Sequence, residues 1–467
     1  MTMGVEEEFL LIDPETRMPL PLAGDVLRTA HGGPSACGGG LPFGAEWATA
    51  PPRAHATAPW PPPSETAREH MAELAPVAAG APYGGGAHGG GPYGGGPHGG
   101  GPHTGPSRAA ARHSGPLLEG PIGTTPMLKA EFLATQVESA SGVCTRLEGL
   151  RSQLLAGRRR LAEAARTCGA RLVSVGNPVL SDGDPVPSPP PQSENGADRY
   201  ARIRDLFAGA VADYQACGCH VHVGVPDRET AVQVVNRLRP WLPTLLALSA
   251  NSPFDHGRDT GCHSWRMIAQ GRFPGAGVPP VFESVEDYDA QIARLVDCGA
   301  VVDEQMTFWL ARPSQHLPTV EVRAADAGTV DGTLLQAALT RALVDTALED
   351  LAEGRPPVRV RDTVAAAAVW CAARYGLRGP AVHPVAERRV PAAELVAELY
   401  NVVRPALAER GDEALTSRLL HEALQQTGPE RQRDAAAAGG PTAVVDQLIA
   451  VTDPGAARFH AASHVEA

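Results

Sequence analysis

The chain has 467 residues, 43% of them hydrophobic and 20% charged, with a formal net charge of -12. That length suits one large core or two or three ordinary domains, and the balance is that of a globular protein. The acidic excess gives no electrostatic case for nucleic acid, and no uncharged apolar run is long enough to span a bilayer, so neither is an expected partner. The opening Met1-Thr2-Met3-Gly4-Val5-Glu6-Glu7-Glu8 lacks the basic start and apolar run of a secretory signal, and a cytoplasmic location is expected. The eight cysteines are scattered; only Cys217 and Cys219 lie close together, at neither a zinc nor a redox spacing, so they read as free thiols.

In chain order, the first apolar segment, 4–12, predicts a strand. Side chains alternate along it, which puts Glu6 and Glu8 on one face and Val5, Glu7 and Phe9 on the other; Glu7 is therefore read as structural. From 31 to 116 the composition changes to Gly, Pro, Ala and His, including GGGAHGGGPYGGGPHGGGPHTGP. Such a stretch cannot bury enough apolar surface to offset chain entropy and is expected to be a disordered insertion, with loose metal binding by His88, His98 and His103 the less favoured reading. The expected organisation is thus one catalytic domain, 1–30 and 117–467, interrupted by that insertion.

After it, 131–143 reads as a strand that pairs Gln136 with Glu138, Val137 facing away. A helix is predicted over 145–167, with Leu147, Leu150, Leu154, Leu161 and Ala165 on one side and Thr145 as its cap, followed by a strand at 171–175. A Pro/Ser/Asp-rich surface loop at 181–196 precedes helical patterns at 200–213 and 229–249, the latter broken by Pro240 and Pro243. Between them, 219–225 sets His220 and His222 against Cys219, Val221, Val223 and Val225. A fourth strand, 319–325, sets Glu321 and Arg323 against Val320 and Val322. The last third is mostly helical, near 334–351, 392–407 and 412–426.

A Glu pair on a strand is usually wet, a His-x-His strand often finds ordinary partners, and Glu-x-Arg is usually a surface ion pair. Recurrence on four strands changes the balance. Carboxylates crowded on one face repel unless cations neutralise them, and an oxygen-rich donor set with a single His suits magnesium or manganese. No Gly-rich phosphate loop of the P-loop type is present, so phosphates would be held by metal and Arg.

The same residues lie in long motifs: GVEEEFLLIDPET, TQVESASGVCTRL, CGCHVHVGVPDRETAVQVVNRLRPWLPTLLALSANSPF, GRDTGCHSWR, WLARPSQHLP, LPTVEVRAAD and a helical tail ending in TGPERQR. The chain resembles, outside the low-complexity segment, the carboxylate-amine ligase branch of the glutamate–cysteine ligase type 2 family. The resemblance implies an α+β fold: a saddle-like, mainly antiparallel sheet backed by helices, of the glutamine-synthetase and glutamate–cysteine-ligase kind. It implies ATP and Mg2+, or Mn2+, on the concave face. Carried over, the metal ligands are Glu6, Glu8, Glu131, Glu138, His220 and Glu321, with Arg323 beside the phosphates, His222 next to substrate or ligand, and Arg258, Arg266 and Arg312 as candidates for a carboxylate or phosphate. The implied reaction forms an acyl phosphate and then an amide, with glutamate and cysteine giving gamma-glutamylcysteine, an activity this branch carries weakly. The partners implied are small molecules, an amino-acid carboxylate and an amine, with a homodimer as the compatible assembly.

The sequence departs from the family's pattern at 37–112, which matches nothing alignable, and at Cys262-His263 and Asp255-His256, where relatives carry bulkier or aromatic residues. Two other readings stay open: a zinc hydrolase with both His220 and His222 on the metal, and an inactive metal-binding remnant whose His-rich insertion carries the function.

Overall fold

The computed structural model describes residues 1–33, 125–182 and 196–453. Apart from its first three positions, the expected low-complexity segment, with His88, His98 and His103, lies outside the described residues, as does most of the expected 181–196 loop.

The strands are β1 (Met3–Ile12), β2 (Met127–Ala130), β3 (Gln136–Ala140), β4 (Arg171–Val173), β5 (Gly218–Gly224), β6 (Phe254–Asp255), β7 (Arg258–Asp259), β8 (Ala311–Pro313), β9 (Thr319–Asp326), and β10 (Pro380–His383) and β11 (Arg388–Pro391), which pair with each other. Seven of them form one sheet in the order β2-β3-β1-β5-β9-β8, with β4 pairing the end of β1, and all the pairings are antiparallel. β6 and β7 form a separate two-stranded ribbon. The helices are α1 (Ala23–Ala30), α2 (Leu147–Thr167), α3 (Gly196–Phe207), α4 (Arg228–Leu238), α5 (Leu242–Ser249), α6 (Trp265–Gln270), α7 (Val285–Asp297), α8 (Val330–Ala352), α9 (Asp362–Tyr375), α10 (Ala392–Glu409), α11 (Glu413–Gln425) and α12 (Gly428–Thr452). This is the expected α+β class, an antiparallel sheet backed by helices.

One face of the sheet makes the core. Val5, Val221, Val223, Val320 and Val322 pack with Leu147, Leu150 and Leu154 of α2 and Leu334, Leu335, Leu339 and Leu343 of α8. Phe9, Leu11 and Val137 extend this side against Leu161 and Ala165. Each such side chain, fully withdrawn from water, contributes roughly 1.5–3 kcal/mol before chain entropy is counted. Because period-two strands bury one face, the alternate side chains of β1, β3, β5 and β9 are left on the other.

Several local expectations need correction. Of the predicted 131–143 strand only Gln136–Ala140 is strand; it pairs in a hairpin with β2, which was not anticipated, and Glu131 lies in the connection between the two. Thr145 does not cap α2; Arg146 holds the N-cap position without a side-chain bond, and the Thr145 carbonyl accepts from Arg341. The expected break within 229–249 is present: α4 and α5 are separate helices, with Pro240 between them and Pro243 in the first turn of α5. TGPERQR opens a helix instead of closing one: Thr427 and Glu430 form a capping box, Pro429 sits in the first turn, and α12 runs on to Thr452 across a kink at Gly439 and Gly440. Helices α1, α6 and α7 were unanticipated, and α9 was not singled out within the helical last third. Among the described residues, no helix is long and apolar enough to cross a membrane.

Candidate active site

The register of the sheet brings the polar residues to one face. Glu6 is opposite His220, Glu8 opposite Glu138, His222 opposite Glu321, Arg312 opposite Glu321, and Lys129 opposite Glu138. Directly opposed residues of an antiparallel pair project to the same side, so these eight belong to one surface. A bulge refines it. Between Cys219 and Val221 of β5, β9 advances by one extra residue, from Ala325 to Val322. The extra residue inverts the alternation beyond it, so Asp326, which strict alternation would place with Val320 and Val322, comes opposite Gly218 on the polar side.

At the centre, Glu6, His220 and Glu321 each offer one ligand atom within 4.8 Å of the others. His220 Nδ1 is 3.7 Å from both Glu6 Oε2 and Glu321 Oε1, and its Nε2 is 3.7 Å from Glu8 Oε1. His222 Nε2 lies 3.6 Å from Glu6 Oε2, buried and without a hydrogen bond, while its Nδ1 shares a 3.1 Å hydrogen bond with Thr319 Oγ1. Side-chain exposures of 5% for Glu321, 9% for His220 and 23% for Glu6 mean that the cluster is enclosed yet reachable from outside. Glu8 accepts from the Gly218 backbone N–H at 2.5 Å. Gly218 is required there, because a Cβ would lie 2.7 Å from Arg266 Nη2 and 3.1 Å from His220 Nε2.

The charges are arranged in two parts. Burial would raise the Glu321 carboxyl, but Arg323, Arg312 and the imidazoles hold it well below the usual carboxylate range. Arg312 donates Nε to Glu321 Oε2 at 2.7 Å, and Arg323 Nη1 donates to Oε1 at 3.2 Å. Glu6 is likewise far below the usual range against the pull of burial, through the neighbouring imidazoles of His220 and His222. Glu131 goes the other way: burial, the charge of Glu8 and a hydrogen bond with Glu138 push its carboxyl well up. Lys129 joins the two parts, its Nζ 3.0 Å from Glu138 Oε1 and 3.2 Å from Glu6 Oε1. The two carboxylates outweigh burial and raise its pKa above the lysine norm. An excess of carboxylate next to Glu131, an orphaned imidazole nitrogen on His222 and a three-donor O, N, O cluster together fit divalent cations.

Of the remaining sequence candidates, Arg266 is buried and already engaged, its Nη1 3.4 Å from Asp326 Oδ1 and its Nη2 donating to the Arg323 carbonyl at 3.1 Å. It braces the end of β9 rather than offering a free guanidinium. Arg258 is exposed on the β6–β7 ribbon, and no hydrogen bond or ion pair of the described residues ties it to the polar face. Lys129 was not singled out from sequence, although the alternation of MLKA two residues before Glu131 carries the signal. Nor were the aromatic residues beside the site: Phe273 stacks on Phe308 at 4.6 Å, Phe132 packs edge-on against Tyr200, and burial pushes the Tyr214 phenol up to about 12. A cavity of about 240 Å³ opens elsewhere, by the N-terminus of α8 and Arg431, and is lined by Cys219 of the apolar face rather than by the clustered carboxylates.

Residues 101–448 match the model of the family described as "Glutamate-cysteine ligase family 2(GCS2)". The chain is 59% identical over 334 residues, 71% of its length and 83% of the relative's, to the Saccharopolyspora erythraea protein named "Putative glutamate--cysteine ligase 2-2". It is 43% identical over 331 residues, 70% of its length and 85% of the relative's, to "Putative glutamate--cysteine ligase 2" of Salinispora arenicola. Among solved structures, a glutamate–cysteine ligase of Francisella tularensis, crystallised in complex with AMP, superimposes with a TM-score of 0.55 over 70% of this chain and 81% of that one, at 12% identity, a likeness of fold.

Proposed function

The chain belongs to the glutamate–cysteine ligase family 2, and on that premise we propose that it is an ATP-dependent carboxylate–amine ligase working on the polar face of its sheet. The observation that carries this reading is the convergence of Glu6, His220 and Glu321 within 4.8 Å, with Arg312 and Arg323 on the same carboxylate. Glu6, His220 and Glu321 would hold one divalent ion, and Glu8, Glu131 and Glu138 a second. Ions of this kind screen the phosphates and draw electron density from the phosphorus under attack.

The chain's own groups do the rest. Arg323 Nε is buried without a hydrogen-bond partner while Nη1 is anchored to Glu321, so the guanidinium keeps a donor in a fixed place for an oxygen of the transferred phosphoryl group. Glu321 holds both guanidiniums in position before substrate arrives. Phe273, Phe308 and Tyr214 wall off water beside them, which strengthens every charge interaction within. A substrate carboxylate oxygen attacks the γ-phosphorus, the bond to the β,γ-bridging oxygen breaks, and ADP departs. An amine nitrogen then attacks the acyl carbon and loses a proton, and the C–O bond breaks to release phosphate. The names of the relatives favour glutamate and cysteine as the pair.

The reading is tested by following ADP release with Mg2+ over a panel of amino acids and amines, with one substrate carboxylate labelled with 18O. The ligase releases ADP only with both substrates and passes one 18O atom into phosphate. ADP release unaffected by the substrates, or phosphate free of label, contradicts it. The zinc-hydrolase alternative finds no support: His220 belongs to a metal-competent cluster among the described residues, and His222 is not part of it.

A further inference from the structure

One cation of the polar face is already part of the chain. Lys129 Nζ lies 3.0 Å from Glu138 Oε1 and 3.2 Å from Glu6 Oε1. Those two carboxylates belong to different clusters: Glu6 stands with His220 and Glu321, whereas Glu138 faces Glu8 across the β1–β3 ladder and bonds to Glu131. The ammonium therefore occupies the ground between the clusters, at the point where one oxygen from each converges. β2 and β3 fix it there, since Lys129 and Glu138 are directly opposed.

A divalent ion in that position would need the same two oxygen atoms, at about 2.0–2.1 Å for magnesium. An ammonium about 3 Å from both excludes it by charge and by volume. Building on the divalent-metal reading above, we propose that Lys129 is a resident monovalent cation that keeps a divalent ion out of the space between Glu6 and Glu138, confining metal to the two flanking clusters. Two consequences follow. The spacing of Glu6 and Glu138 is set before any ion arrives, which lowers the cost of assembling the site. The residue also makes the metal content of the face a property of the sequence, adjustable at one position on an edge strand.

The test counts bound Mn2+ per chain, by loss of the free-ion electron paramagnetic resonance signal, in the full chain with a non-hydrolysable β,γ-imido analogue of ATP. Wild type is compared with Lys129→Ala, Lys129→Met and Lys129→Arg, each checked for native circular dichroism. Lys129→Ala is expected to bind one more Mn2+ per chain than wild type, Lys129→Met to follow it, and Lys129→Arg to match wild type. Equal or lower counts in both uncharged variants overturn the proposal while leaving the metal site standing. A wild-type chain that takes up no Mn2+ removes the metal reading itself, and the inference with it.

Discussion

Glu7 and Arg158 form an ion pair under the sheet, Arg158 Nη2 2.6 Å from Glu7 Oε1, on the face of β1 opposite Glu6 and Glu8. Both side chains are almost completely buried, Thr333 Oγ1 donates to the same Glu7 oxygen at 2.8 Å, and Arg158 also holds the Gly328 carbonyl. Three consecutive glutamates are thus divided by strand alternation into two on the polar face of the sheet and one that ties β1 to α2 and α8.

Breaking that pair exposes its structural role. Arg158→Met leaves the Glu7 carboxylate buried without its partner and should cost about 3–5 kcal/mol in denaturant unfolding. Adding Glu7→Leu should recover most of the loss, because an apolar pair of similar volume is close to neutral there. If the single variant unfolds at the wild-type midpoint, the pair is not holding the helices to the sheet.

At the other face, Glu321→Gln removes a ligand and leaves Arg312 and Arg323 facing a neutral amide. Mn2+ affinity should fall by about 10–100-fold or more, with the fold unchanged. Isothermal titration reads this directly, and undiminished affinity would remove Glu321 from the metal site.

Arg323→Lys keeps the charge but loses the planar fork in which one nitrogen holds Glu321 while Nε is left without a partner. Turnover should drop by about 10²–10³, the loss characteristic of one preorganised donor, with a smaller change in the KM for ATP. A variant altered in KM alone would place Arg323 in ground-state binding.

Much of this site was legible in the sequence, for a definite reason. Glu6 and Glu8, His220 and His222, and Glu321 and Arg323 each sit within one short strand, where period two decides the face without knowledge of the neighbours. The same rule failed at Asp326, because a bulge inverts the alternation and only the pairing with β5 reveals it. It failed at Glu131, where five residues of hairpin connection, 131–135, separate β2 from β3. Arg258 and Arg266 show a different limit: a motif supplies the residue type, but whether a guanidinium is free or already engaged with Asp326 depends on residues 60 positions away.

Stability has its own pH signature at the start of α12. Hydrogen bonds from Arg378, against the pull of burial, and from Thr427 lower the Glu430 carboxyl from 4.5 to about 2. A depressed carboxylate stabilises the fold fully above pH 4.5, and that contribution is lost as pH falls through 4.5 toward 2. Glu430→Gln should therefore be less stable than wild type at neutral pH, by no more than about 1 kcal/mol for a pair this open to water, and the gap should close toward pH 2. A gap independent of pH would assign the effect to the capping geometry alone.

The central claim, that one face of the sheet gathers ions and a triphosphate, is tested most directly by anomalous scattering from crystals grown with Mn2+ and a non-hydrolysable ATP analogue. Manganese peaks bonded to Glu6, His220 and Glu321, with phosphate oxygens completing their coordination and Arg323 against the γ-phosphate, are the result expected. Manganese or nucleotide bound away from these side chains would contradict it.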